Sequence, residues 1–373
     1  MKKINGYEFI QLFEEFAPKE YALEGDPIGL QVGTLNKPIH NVMIALDVLE
    51  DVVQEAIEKN VDLIIAHHPL IYRPLKNINT DNTSGKMIEM LIKHDITVYA
   101  AHTNLDVATG GVNDMLAKAL GLKNTSVLVP TYHETLKKLA VYVPKEKESD
   151  ILSALGDAGA GAIGAYSHCS FSTEGTGRFL PGENTNPYIG EKGILETVNE
   201  VKIETVFPAN KEKKIVSAML KAHPYEEPAY DIFELTQKGK VLGLGKIGEL
   251  ENTMKLREFA VFVKEVLDSP GVRVVGQLND KVKKVAILGG DGNKYYSSAK
   301  FSGADVYVTG DMYYHTAHDA MNIGLNIVDP GHNVEKIMKK GTVKVLKELI
   351  EKRHFTVNIF PSEVDTNPFT FLE

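Results

Sequence analysis

Three short segments, His67-His68-Pro69, His102-Thr103-Asn104-Leu105-Asp106 and Gly331-His332-Asn333-Val334-Glu335, each place imidazole or carboxylate groups just past an apolar run. Imidazole and carboxylate are ligands that zinc, iron and manganese share. His67, His68, Asp106, His332 and Glu335 together exceed what one tetrahedral catalytic centre takes from protein, so the set implies two divalent cations per chain, zinc first, with iron or manganese as alternatives. Pro69 cannot continue a β-ladder, so the chain turns there and leaves both preceding imidazoles at a strand tip. Adjacent strand residues face opposite sides, which suits two cations better than chelation of one. The Asp106 carboxylate, in an Asn-Leu-Asp turn, can bridge a cation pair, and His332 and Glu335 share a face where Gly331 opens a helix. Singly, these groups read as a surface His pair, a turn cap and a favourable charge in a first helical turn. Their conjunction favours one dinuclear site.

Further polar residues belong to the same crevice. His102 and His315 are candidates for moving protons, since imidazole titrates near neutral pH, and equally for orienting a ligand. Asp26 and Asp311 are of similar standing, with Asp311 a candidate for substrate contact. Arg73 and Lys76, just after the His-His-Pro turn, are candidates for holding phosphate. Ser84-Gly85-Lys86 and Gly243-Leu244-Gly245 fall short of a phosphate loop and a dinucleotide fingerprint, so neither an ATP nor an NAD site is expected.

The elements that must carry these groups alternate. Apolar runs at 42–46, 62–66 and 96–101 read as strands, separated by helices at 49–59 and 86–93 and followed by one at 113–120. The same grammar returns at 285–288, 306–309 and 325–328. Such alternation implies an α/β fold with a mainly parallel sheet and its ligands outside the carboxyl ends of the strands, so the two ends of the chain are expected to build one site. Between them the texture changes. Strands at 136–143, 163–171, 193–206 and 230–235, with helices at 148–155 and 210–222, suit an inserted α+β unit of ferredoxin-like type, and 172–190 reads as a surface loop. The expected division is a discontinuous core, 1–127 and 241–373, around an insertion at 128–240.

The length of 373 residues exceeds what one hydrophobic core supports. A net charge of -9 argues against nucleic acid or an anionic membrane as partner, because such binding runs on clustered Lys and Arg. Cys169 is the only cysteine, which excludes intrachain disulfides and cysteine-rich zinc modules. At the start, Asn5-Gly6-Tyr7-Glu8 reads as a capping box for a helix with apolar face Phe9, Leu12, Phe13 and Phe16, ended by Pro18, rather than as a leader. With no run long enough to span a membrane, a soluble cytoplasmic protein is expected.

Gly25-Asp26-Pro27-Ile28-Gly29-Leu30, Ala66-His67-His68-Pro69, His102-Thr103-Asn104-Leu105-Asp106, Thr309-Gly310-Asp311 and Pro330-Gly331-His332 with Glu335 resemble the motifs of the NIF-three-like family, the type 2 homologues of GTP cyclohydrolase I. The opening motif departs from the family form, in which an aromatic-Asp-Asn sequence precedes Gly-Leu. The resemblance implies that His67, His68, Asp106, His332 and Glu335 hold two divalent metals. It implies a homo-oligomer, often a hexameric ring. His223-Pro224-Tyr225-Glu226-Glu227-Pro228 resembles a subgroup with an inserted PII-like or CutA-like domain, which tends to form trimers. The activity implied is metal-dependent hydrolysis of a small nucleotide-like ligand. On that reading activated water would attack C8 of a guanine ring, with His102 or His315 moving protons as the ring opens and formate leaves. The alternatives are a dinuclear-metal phosphoesterase or nucleotide pyrophosphohydrolase, and a metal-dependent regulatory or scaffold protein without turnover.

Overall fold

The computed structural model describes residues 3–372. The chain forms two compact units, one built from the chain up to Tyr132 together with the chain from Leu242, the other from His133–Val241.

The first unit opens with helix Gly6–Phe16. Asn5 accepts from the Glu8 amide at 2.9 Å and Glu8 accepts from the Asn5 amide at 3.0 Å, the reciprocal cap expected from the sequence. Phe9, Leu12 and Phe13 are buried, and Phe13 meets Tyr99 edge-on at 6.0 Å between centroids. Phe13→Ala is expected to destabilise the chain by about 3–5 kcal/mol, because the site is closed on all sides and leaves a cavity. The denaturant midpoint measures it, and an unchanged midpoint would mean that this helix is not docked.

Two sheets follow, where one mainly parallel sheet was expected. The first has the order Asn358–Pro361, Asn41–Ala45, Leu63–Ala66, Thr97–Ala100, Gly29–Val32, parallel except for the last strand. In the second, Asn326–Asp329, Val306–Gly310 and Lys281–Asp291 are parallel neighbours. Arg273–Val275 lies antiparallel on one side and residues 246–255 antiparallel on the other. Both sheets are therefore mixed. The parallel runs Asn41–Ala45 to Thr97–Ala100 and Lys281–Asp291 to Asn326–Asp329 each pair strands consecutive in sequence, which needs only short crossovers, whereas Asn358–Pro361 comes from the far end of the chain to pair with Asn41–Ala45. One core cluster nonetheless takes Ile44, Leu63 and Ile65 from the first sheet with Val285, Val306 and Val308 from the second.

The second unit has the order strand, helix, strand, strand, helix, strand. Residues 136–144 pair antiparallel with Glu196–Pro208, which pairs antiparallel with Ser170–Phe179. Helices Glu148–Ala158 and Glu212–Ala222 bury Ile151, Leu155, Ile215 and Met219 with Leu139, Val141, Val201 and Ile203. Two expectations fail locally. Residues 163–169 carry only a bridge between Ile163 and Tyr166, and the segment expected as a loop contains most of the strand Ser170–Phe179. That strand is largely exposed on both faces, so backbone pairing holds it and no alternation of apolar residues marks it. Among the described residues no helix is long and apolar enough to cross a membrane.

Candidate metal centre

The parallel strands of the first sheet end together. His67 and His68 continue the ladder past Ala66, their amides donating to the Ala45 and Leu46 carbonyls at 3.0 and 2.9 Å, so both imidazoles leave a rigid backbone. His102 follows the strand Thr97–Ala100 as cap of a short helix, Thr103–Val107. That helix carries Asp106, which sequence reading had placed in a turn. In the second sheet Asn326–Asp329 runs into Gly331, whose φ of +84° suits glycine, and then into the 3-10 turn His332–Lys336 with Glu335 on it. Asp311, just past Val306–Gly310, has φ +53°, a left-handed backbone that aspartate tolerates.

All five expected ligands and His102 converge. Glu335 Oε2 lies 3.6 Å from His67 Nε2, 3.1 Å from His68 Nε2 and 3.2 Å from His332 Nε2. An Asp106 oxygen lies 3.6 Å from His67 Nε2. Three overlapping groups have donor atoms within 4.8 Å of one another: His67, His68 and His102; His68, His332 and Glu335; His67, Asp106 and Glu335. The buried His67 Nε2 and Asp106 Oδ1 have no hydrogen-bond partner. Buried polar atoms are normally paired, so an orphaned lone pair facing a carboxylate fits a cation between them.

Each imidazole is aimed by an oxygen on its other nitrogen. His67 Nδ1 donates to the Ala101 carbonyl at 2.9 Å, His68 Nδ1 bonds Asp47 at 2.6 Å, His102 Nδ1 bonds Asp26 at 2.8 Å and His332 Nδ1 bonds Asp311 at 2.7 Å. With Nδ1 so held, all four Nε2 atoms turn inward, the arrangement that orients metal-ligating histidines. Asp311, expected to touch substrate, positions His332 and also lines the cavity at the centre. Asp47 was missed, although it closes the apolar run 42–46 just as His67 closes the next one. Asp47→Asn is expected to lower metal affinity about 10–100-fold while His68 stays in place, measured by competition with a chelator. Equal affinity would remove Asp47 from this role.

Burial opposes charge here, yet at His68, His332 and Glu335 the partners outweigh it. Burial lowers His68, but Asp47 and Glu335 raise it to about 9. Burial likewise lowers His332, but Asp311 and Glu335 raise it to about 11. For Glu335 burial raises the pKa, and the surrounding imidazoles bring it well below the usual range. Asp106 is pushed up to about 6 by burial, with repulsion from Glu335 adding to it and the imidazoles opposing. The two buried carboxylates thus demand positive charge.

The centre opens onto a cavity of about 890 Å³ whose wall includes Tyr72, Tyr295, Tyr313, Lys294 and Phe369. Arg73 and Lys76 are exposed and do not line it. His315 is exposed on helix Tyr314–Asn322 beside Tyr314, also outside the cavity, so the structure does not bring it to the centre.

The Duf34/NIF3 (NGG1p interacting factor 3) family matches residues 4–368. A Bacillus subtilis (strain 168) relative named GTP cyclohydrolase 1 type 2 homolog is 63% identical over 371 residues, covering 100% of both chains. A Bacillus cereus protein related to NIF3 has a solved structure with a TM-score of 0.96 at 60% identity, covering 100% of both chains. A Staphylococcus aureus structure superposes with a TM-score of 0.78 at 35% identity, again over 100% of both chains. By sequence and by structure, this chain belongs to the DUF34/NIF3 family.

Proposed function

We propose that the chain holds two divalent cations in this centre and hydrolyses a nucleotide-like substrate, in a reaction of GTP cyclohydrolase type. The observation that carries the reading is Glu335 Oε2 facing three imidazole Nε2 atoms beside the unpartnered His67 Nε2 and Asp106 oxygen. His67, His68, Asp106, His332 and Glu335 would hold the ions, zinc first, iron or manganese otherwise. When bound, such ions acidify water and polarise a substrate oxygen near neutral pH.

The chain's own residues do the rest. Asp47, Asp26 and Asp311 keep three imidazoles aimed inward. His102, with Nδ1 engaged by Asp26, has Nε2 free to take a proton from attacking water, and the Asp26 carboxylate stabilises the imidazolium that results. Tyr72 and Phe369 offer flat faces to a heterocyclic base, and Lys294 takes the phosphate role expected of Arg73 and Lys76. His315 has no part in this scheme. The name borne by the Bacillus subtilis relative supports the choice of reaction.

The inserted unit is proposed to be a ferredoxin-like domain of PII or CutA type, on the strength of its element order, in a cytoplasmic homohexamer. A monomeric mass by light scattering with metal present contradicts the assembly. For the reaction, zinc-loaded protein incubated with GTP is expected to yield formate and a ring-opened product, and a chelator is expected to abolish both. Release of phosphate or pyrophosphate instead assigns a phosphoesterase. Metal uptake without turnover of any nucleotide assigns a regulatory or scaffold role.

A further inference from the structure

Strand Asn358–Pro361 lies parallel to Asn41–Ala45, with Pro361 beside Ile44, so the chain beyond both strands emerges at the same edge. One continuation leads to Asp47, the other to the C-terminal segment 362–372. That segment is tied down at successive residues. The Ser362 amide donates to the Ile44 carbonyl at 2.8 Å and its hydroxyl donates to Glu55 at 2.5 Å, the Glu363 amide donates to Glu55 at 2.9 Å, and Lys339 donates to the Val364 carbonyl at 3.1 Å.

Two contacts then reach the residues around the centre from both halves of the chain. Asn333, between His332 and Glu335, donates to Asp365 at 3.4 Å. The Thr366 hydroxyl donates to Asp47 Oδ2, while Asp47 Oδ1 holds His68 Nδ1. Both oxygens of Asp47 are therefore engaged, one by an imidazole and one by the tail. A carboxylate held at a single oxygen swings about its χ2 torsion, which is broad and soft. Held at both, it presents a fixed acceptor to His68.

We propose that Thr366 is a positioning residue of the metal centre: its hydroxyl locks the Asp47 carboxylate, and through it the direction of His68 Nε2, so that the C-terminal segment is a strap required for full cation affinity. This rests on the metal reading above and not on hydrolysis. The hydrogen-bond relay is continuous from Thr366 through Asp47 and His68 to Glu335. Outer partners of metal-ligating histidines act on affinity through this kind of relay.

The full chain, stripped of metal, is titrated with zinc against a chromophoric chelator. Thr366→Val, nearly isosteric but without the donor, is expected to weaken zinc binding about tenfold, and Thr366→Ser, which keeps the hydroxyl, to stay within about twofold of the parent. Val364→Ala, which trims packing of the same segment and leaves the hydroxyl, is expected to bind as the parent does. Parent-like affinity for Thr366→Val, or an equal loss in Thr366→Ser or Val364→Ala, overturns the proposal while leaving the metal centre standing. Absence of zinc uptake by the parent chain overturns both.

Discussion

Replacing Glu335 with glutamine is expected to empty the centre of metal while leaving the fold in place. Glu335 Oε2 faces His67, His68 and His332 together, at 3.6, 3.1 and 3.2 Å. Glutamine keeps the volume but removes the charge and turns either a neutral oxygen or a donating amide toward the same point. A cation at that point loses an anionic ligand in a buried site, where opposite charges interact far more strongly than in water. Retained metal after gel filtration is expected to fall below about a tenth of the parent's, since loss of a direct ligand exceeds the 10–100-fold typical of outer partners. Elemental analysis measures it, with circular dichroism to show that helix content is unchanged. A folded Glu335→Gln protein with full metal content would contradict the assignment of the centre.

Cation binding is also expected to displace protons, and so to depend steeply on pH. With His68 raised to about 9 and His332 to about 11, both imidazoles are protonated at pH 7 in the metal-free chain. Each must lose its proton to ligate, and His67, lowered by burial but raised more by Asp106 and Glu335, shifts in the same direction. At least two protons are therefore released per filled centre, and affinity rises by about a factor of ten per proton per pH unit, roughly a hundredfold or more per unit around neutral pH. Calorimetry in two buffers of different ionisation heat counts the protons. Affinity independent of pH between 6 and 8 sinks the idea.

The sign for stability follows from the same shift. The folded value of His68 lies above its ordinary 6.5, so in the metal-free chain its contribution is complete below about pH 6.5 and is lost as pH rises through about 9. The metal-free chain should weaken between pH 7 and 9. The metal-loaded chain should weaken in acid instead, where protons compete for its ligands.

Much of the centre was legible because its residues stand at the ends of apolar runs, and such runs report burial and period locally. His67, His68, Asp106, His332 and Glu335 could be named that way, and the capping box at Asn5 and Glu8 is likewise a pattern within one turn. Family motifs such as Ala66-His67-His68-Pro69 added the order of the parts. Arg73, Lys76 and His315 lie exposed and outside the cavity lining, because proximity in sequence to the motifs says nothing about which way a loop or an exposed helix face turns.

Tertiary structure alone decided how the ligands are aimed and what surrounds them. His68 meets Asp47 across 21 positions of sequence and Glu335 across 267, and Thr366 reaches Asp47 across 319. Such bonds depend on how strands order themselves within the two sheets, which no local period encodes. The exposed strand Ser170–Phe179 is the converse case, since backbone pairing made it and no burial pattern announced it. The sequence by itself thus determined which groups have metal chemistry and that they sit at strand ends. That they build one site was expected from their conjunction, but only the folded chain decided its burial and which oxygens aim each imidazole, because those contacts are set by long-range pairing, while ligand type and strand tip are properties of neighbouring residues.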